Sequence, residues 1–202
     1  MKLMKFKLLV IALVMFAASS AFASLGYDVT IDTKGFSSQS GSLYFQFNAV
    51  TDDALQAYAT ISNFTTNGVL APDVLYATAG SVTGNLGGGS VTMENAGILN
   101  EYLHGITFGD SLSFHLQLSG AAVDKPNSAV TGGSTFSLSL YDAAGYNPLW
   151  VSSDPVNGTV YALNLNPDGT ANNVTPTPIP GAVYLLGSGL MGLVGIRRRK
   201  QE

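Results

Sequence analysis

The chain has no cysteine, so neither disulfides nor a thiolate nucleophile is available to it. It has one tryptophan and two histidines in 202 residues. His104 and His115 are too far apart for a zinc motif, in which two histidines stand about three to five residues from each other. Only 11% of the residues are charged, and cations are almost absent from the middle of the chain. Between Ser24 and Val174 the only basic side chains are Lys34 and Lys125; against them stand twelve carboxylates, a net charge of −10. Such a body is repelled by phosphate backbones, which excludes nucleic acid as a partner. No G-x-S-x-G elbow is present. The stretch "GNLGGGS" lacks the lysine and following helix of a phosphate loop and reads as a flexible hairpin connection.

The missing cations are at the two ends. "MKLMKFKLLVIALVMFAASSAFAS" combines Lys2, Lys5 and Lys7 with an apolar run from Leu8 to Ala18 and the small-residue pattern Ala21-Phe22-Ala23. This is the layout of a secretory signal peptide over residues 1–23, cut by signal peptidase between Ala23 and Ser24. The run of about eleven residues is short of the roughly 20 that span hydrocarbon.

At the other end, no residue from Val174 to Ile196 is charged, and Arg197, Arg198, Arg199 and Lys200 follow at once. Residues 180–196 would make about 25 Å of helix, a short but sufficient transmembrane span with a few flanking residues. The basic cluster stops translocation and stays cytoplasmic, which leaves the body on the side to which the signal peptide delivers it. Pro176, Pro178 and Pro180 hold the preceding chain extended and accessible. A plain anchor, with Ser188 and Gly192 packed on another helix, is the simpler reading. Glycines at 187, 189, 192 and 195 argue against it, since each costs a persistent helix about 1 kcal/mol relative to alanine.

This order of proline motif, glycine-rich apolar helix and basic cluster resembles the PEP-CTERM sorting signal of Gram-negative bacteria. Pro178-Ile179-Pro180 stands where that family's P-x-P tripeptide abuts the helix, and "YLLGSGLMGLVGIRRRK" resembles its helix and stop sequence. Ile179 replaces the glutamate of the name-giving motif; if Pro176-Thr177-Pro178 is the tripeptide, Thr177 does. The resemblance implies export, a transient inner-membrane anchor, processing by an exosortase-like membrane protease, and a final place at the cell surface or in a biofilm matrix with extracellular polysaccharide. No L-P-x-T-G signal is present. "ATISNFTTNG", "NEYLHGITFGDSLSFHLQLSG" and "FSLSLYDAAGYNPLWVSSDP" also resemble blocks in the bodies of such proteins.

Residues 24–173 alternate with period two. In "DSLSFHLQLSG", Leu112, Phe114, Leu116 and Leu118 share one face, and Ser111, Ser113, His115, Gln117 and Ser119 the other. "SLYFQFNA" does the same with Leu43, Phe45 and Phe47, "STFSLSLYD" with Phe136, Leu138 and Leu140, and "TVYALNL" with Tyr161, Leu163 and Leu165. Each predicts a strand with one dry face. "TTNG", "NLGGGS", "VTGGS", "DAAGYNP" and "NPDG" supply turns. In "DDALQAYA", Leu55 and Tyr58 at helical spacing predict one short helical turn. The whole predicts an all-β, antiparallel, jelly-roll-like β-sandwich between a signal peptide and a C-terminal sorting segment, residues 174–202.

Function within the body is less legible. Glu94 and Glu101 are candidates for the acid and base of a secreted hydrolase acting on glycosidic bonds; the alternative is that they solvate turns. Trp150 and Tyr146 are candidates for the aromatic platform of a carbohydrate-binding module, with Trp150 in the core as the alternative. The acidic turns at Thr51 to Asp53 and Asn166 to Gly169 are candidate Ca²⁺ ligands, although neither is an EF-hand loop; no other cofactor is expected. His115 falls on a polar face and reads as solvated. The primary expectation is a non-enzymatic exported protein.

Overall fold

A computed structural model describes residues 24–72, 78–97, 99–145, 147–150 and 158–174. The signal segment, Ala23, Tyr146, the proline motif Pro176 to Pro180 and the basic cluster Arg197 to Lys200 lie outside these residues.

Two antiparallel sheets face each other. In the first, β1 (Leu25–Asp32), β9 (Ser111–Ser119), β3 (Tyr58–Thr66), β7 (Ser90–Glu94) and β6 (Val82–Asn85) lie side by side in that order. The second runs β12 (Ala171–Asn173), β11 (Thr159–Leu165), β10 (Ser134–Asp142), β2 (Ser40–Ala49), β8 (Glu101–Thr107) and β4 (Val69–Leu70). β5 (Thr78–Ala79) pairs the same strand β8 further along. Successive strands mostly change sheet; the exceptions are β4–β5, both on β8, and the hairpins β6–β7 and β10–β11–β12. The helical content among the described residues is a 3-10 turn at Lys34–Phe36 and one turn, α1, at Ala121–Asp124.

The alternating strands fall as their sequence requires. Leu112, Phe114, Leu116 and Leu118 of β9 are buried against Leu43, Phe45 and Phe47 of β2 and Phe136, Leu138 and Leu140 of β10. Phe45 sits amid aromatic rings, with Phe114 of the opposite sheet 5.6 Å away edge-on, Phe136 at 6.2 Å and Tyr102 at 6.4 Å. Burying each such side chain contributes about 1.5–3 kcal/mol, and the ring geometry adds to that. Two places break the period. Asn63, with φ 52°, inserts one residue into β3 and shifts its register on β9 between Ser62 and Thr65. β11 slips against β10 between Leu138 and Ser139, where Val160 is left over. Tyr161, Leu163 and Leu165 still face the core.

With no disulfides, asparagine side chains tie the connections between sheets, Asn95 and Asn100 from buried positions and Asn67 from an exposed one. Asn95 accepts from the Ala57 N–H (2.8 Å) and donates to the Leu55 carbonyl (2.8 Å) and the Ser134 hydroxyl (2.7 Å). Asn100, fully buried, accepts from Ser81 N–H at 2.9 Å and donates to the Phe47 carbonyl at 3.2 Å. Asn67 Oδ1 accepts from the N–H groups of Asp110 (2.8 Å) and Ser111 (3.2 Å).

The expected helical turn in "DDALQAYA" is not formed. Residues 54–57 carry no regular secondary structure, because Asn95 captures Ala57 N–H and Leu55 C=O while Tyr58 enters β3 opposite Glu94 and Ser119. The "NLGGGS" and "NPDG" stretches do connect hairpins, β6–β7 and β11–β12.

Candidate functional site: two clefts that share Glu94

Glu94 ends β7, and the chain then turns away toward β8. On one flank, the β2–β3 connection (Ala49 to Gln56) and residues 94–97 enclose a cleft of about 290 Å³. On the other flank, Tyr58, Thr92 and residues 80–83 enclose a second of about 310 Å³. Glu94 lines both. Its Oε1 accepts from Gln56 Nε2 at 2.6 Å, which fixes the carboxylate at the ridge between them. Tyr58 stands directly opposite Glu94 in register. Gly120 passes beside the Tyr58 ring, where a Cβ would come within 3.1 Å of it. The neighbouring Thr60 and Thr92 hydroxyls are 3.1 Å apart. Together the walls offer the carboxylate residues Glu94 and Asp52, the amide residues Gln56 and Asn95, hydroxyls and one aromatic ring: groups that orient a hydroxyl-bearing ligand.

Of the predicted candidates, Glu94 belongs to this site and Glu101 does not. Glu101 begins β8 in the other sheet, and its Oε2 accepts from the hydroxyl of Tyr44, to which Gln46 Nε2 also donates at 3.0 Å. Burial, then the Glu101 contact, raises the Tyr44 pKa well above that of an ordinary phenol. Neither cleft is lined by Glu101, so the two carboxylates are not brought to one cleft.

Trp150 is half-buried and packs on the core beside Phe36, ring to ring at 6.3 Å. Its ring is therefore core-facing. Its Nε1 is buried without a hydrogen-bond partner among the described residues. His115 is on the outer face of β9, and its Nδ1 is 2.7 Å from Asp28 Oδ1. Its ring lies over Gly26, where a Cβ would be 3.2 Å from Cε1. His104 is fully buried between Tyr102 and Ala71.

The carboxylates of the two acidic turns are engaged by local donors. Asp53 accepts from Thr51 Oγ1 (2.6 Å), Thr131 N–H (2.8 Å) and Thr131 Oγ1 (2.9 Å), clasping two loops. Asp168 accepts from Thr170 Oγ1 (2.6 Å) and N–H (2.9 Å). These bonds hold both carboxyls below the ordinary value of 3.8. Among the described residues, no group of three or more His, Asp or Glu is placed to share a metal ion, and no helix is long and apolar enough to cross a membrane.

Gln56 and Tyr58 were missed in the sequence because their stretch mimics a helical face. The signal that could have found them is the alternation starting at Tyr58, which places Tyr58, Thr60 and Ser62 on the wet side. Set against known proteins, the chain matches no family model, no curated protein and no solved structure.

Proposed function

We propose that this is an exported, non-enzymatic protein of the cell surface or extracellular matrix, sorted and cut at its C-terminus by an exosortase-like membrane protease. The observation that carries the reading is the tail itself: Pro178-Ile179-Pro180, an uncharged glycine-rich segment, and Arg197 to Lys200 in immediate succession. It is supported by a body whose described strands lie between Leu25 and Asn173, clear of both apolar ends. In this reading the sandwich is jelly-roll-like, because its strands alternate between sheets and the order β1-β9-β3-β7 faces β2-β8-β4. Signal peptidase acts at Ala23-Ser24, the terminal helix anchors the body to the inner membrane, and the extended prolines present a cleavable backbone just outside it. Intact mass and fractionation in a Gram-negative host with an active exosortase test this. The wild type should appear at the surface or in the medium without about its last twenty residues, while Pro178→Ala/Pro180→Ala stays in the membrane. Wild type that still ends at Glu202 in the membrane fraction would leave a plain anchor in place of a sorting signal.

The clefts beside Glu94 favour a second reading, a carbohydrate-binding module. A pyranose ring set against Tyr58 would meet Glu94 and Thr92 with its hydroxyls. Retention on immobilised exopolysaccharide purified from the host should fall about tenfold or more for Tyr58→Ala and for Glu94→Gln, the loss of one good contact of ~1.4 kcal/mol. Unchanged retention of both variants excludes these clefts as the sugar site.

A further inference from the structure

We propose that the free edge of β1 is a self-association surface, on which a second copy of the chain adds its own β1 antiparallel with Val29 on the two-fold axis. β1 pairs with β9 over its whole length, in unbroken register from Leu25↔Leu118 to Asp32↔Ser111. Thr33 N–H donates to the Asp110 carbonyl at 2.9 Å, continuing that register by one step. Backbone groups alternate sides along a strand. Those of Ile31, Val29 and Tyr27, like Thr33, therefore point to β9, and those of Asp32, Thr30, Asp28 and Gly26 point to the open edge. These same four residues are exposed.

The other sheet edges are blunted in the ways edges usually are. β6 has four residues with Gly84 at φ 80°, β12 has three, and β4 and β5 have two each. β1 has eight, without proline or bulge. Among the described residues nothing pairs its outward row of donors and acceptors, and a strand of this length with such a row is a template for another strand.

Charge selects the register between two copies. With Val29 on the axis, Asp28 faces Thr30 of the second copy, Asp32 faces Gly26, and Tyr27 faces Ile31. Moving the axis to Asp28 sets that carboxylate against itself, and moving it to Thr30 sets Asp28 against Asp32. Like charges directly opposite are destabilising, whereas an aromatic facing a β-branched residue is favourable. On the core side, Leu25 and Tyr27 are only half-buried at the rim of the sandwich. A second β1 would cover both.

The absence of native thiols makes cysteine cross-linking in the envelope fraction of exporting cells a clean test of the full chain. Val29 would face itself as a non-hydrogen-bonded pair, with Cα atoms about 4.5 Å apart, within disulfide range. Val29→Cys should oxidise to a covalent dimer, whereas Asp28→Cys alone and Thr30→Cys alone should not. Mixed Asp28→Cys and Thr30→Cys chains should cross-link with each other; both sites are exposed, so this arm holds even if Val29→Cys folds poorly. Thr30→Pro removes an outward N–H that serves no bond among the described residues. Added to Val29→Cys, it should abolish the dimer while the β circular dichroism and melting of the chain stay unchanged. Preferential self-linking of Asp28→Cys or Thr30→Cys, absence of any cross-link, or cross-linking insensitive to Thr30→Pro overturns the proposal.

Discussion

Phe45→Ala should lose about 3–5 kcal/mol of unfolding free energy in urea, the range for truncating a fully buried phenylalanine. For a body of this size that is a fall in melting midpoint of roughly 10–15 °C. The cost has two sources. The ring's own burial is lost, and the rings of Phe114, Phe136 and Tyr102 then line a hole that β2 and β10 cannot close, since backbone hydrogen bonds hold these strands in register from Ala49↔Ser134 to Gly41↔Asp142. Because Phe45 meets Phe114 across the two layers, the variant also loosens sheet from sheet. Gln46→Ala, one residue on and facing outward, should cost no more than about 0.5 kcal/mol. Equal losses at positions 45 and 46 would contradict the inward and outward assignment of β2.

His104→Ala should cost about 3 kcal/mol, a large figure for a residue that polarity alone would put at the surface. A directed hydrogen-bond chain runs through its ring. Leu86 N–H donates to Tyr102 Oη at 3.0 Å, the Tyr102 hydroxyl donates to His104 Nδ1 at 2.7 Å, and His104 Nε2–H donates to the Ala71 carbonyl at 3.2 Å. Because Nε2 faces a carbonyl, it carries a hydrogen; the direction at Nδ1 is assigned from this bonding pattern. Alanine leaves a cavity, removes the acceptor of a buried hydroxyl and strands the Ala71 carbonyl, each a cost of its own. Tyr102→Phe should cost about 1–3 kcal/mol by removing the acceptor of Leu86 N–H and the contact with His104 Nδ1. The double variant should cost less than the two singles together, since both cut one network. Strict additivity in that cycle would mean that the two side chains act independently.

These two positions show why part of the fold was legible and part was not. Phe45 lies in a run whose apolar residues recur every second position, and a strand with one dry face has no other way to place them. His104 sits in "NEYLHGIT", where Tyr102, His104 and Ile106 occupy the buried side and Glu101, Leu103 and Gly105 the other. There the alternation in polarity is inverted by a histidine facing in and a leucine facing out. Among the described residues, Leu86 and Ala71, distant in sequence, supply partners for that placement. Asn95 and Asn100 are hidden for the same reason: an asparagine in a connection reads as turn material until its partners are in place.

The residue pattern by itself determined the all-β class, the two-faced strands and most of their inward residues, because period-two alternation is a local property and the hydrophobic effect acts on it directly. It also contains whatever the two termini specify, since signal peptidase sites, membrane spans and stop sequences are read from linear segments. Only the tertiary structure decided which strands are neighbours, and with them everything that depends on long-range pairing. It placed Glu94 beside Gln56 and Tyr58 and sent Glu101 to the opposite sheet. It drew His104 into the core, and among the described residues it left the outer edge of β1 unpaired. The physical reason is that backbone pairing is indifferent to sequence distance: a strand's neighbours are fixed by how two whole sheets bury their apolar faces together, and no segment carries that information alone.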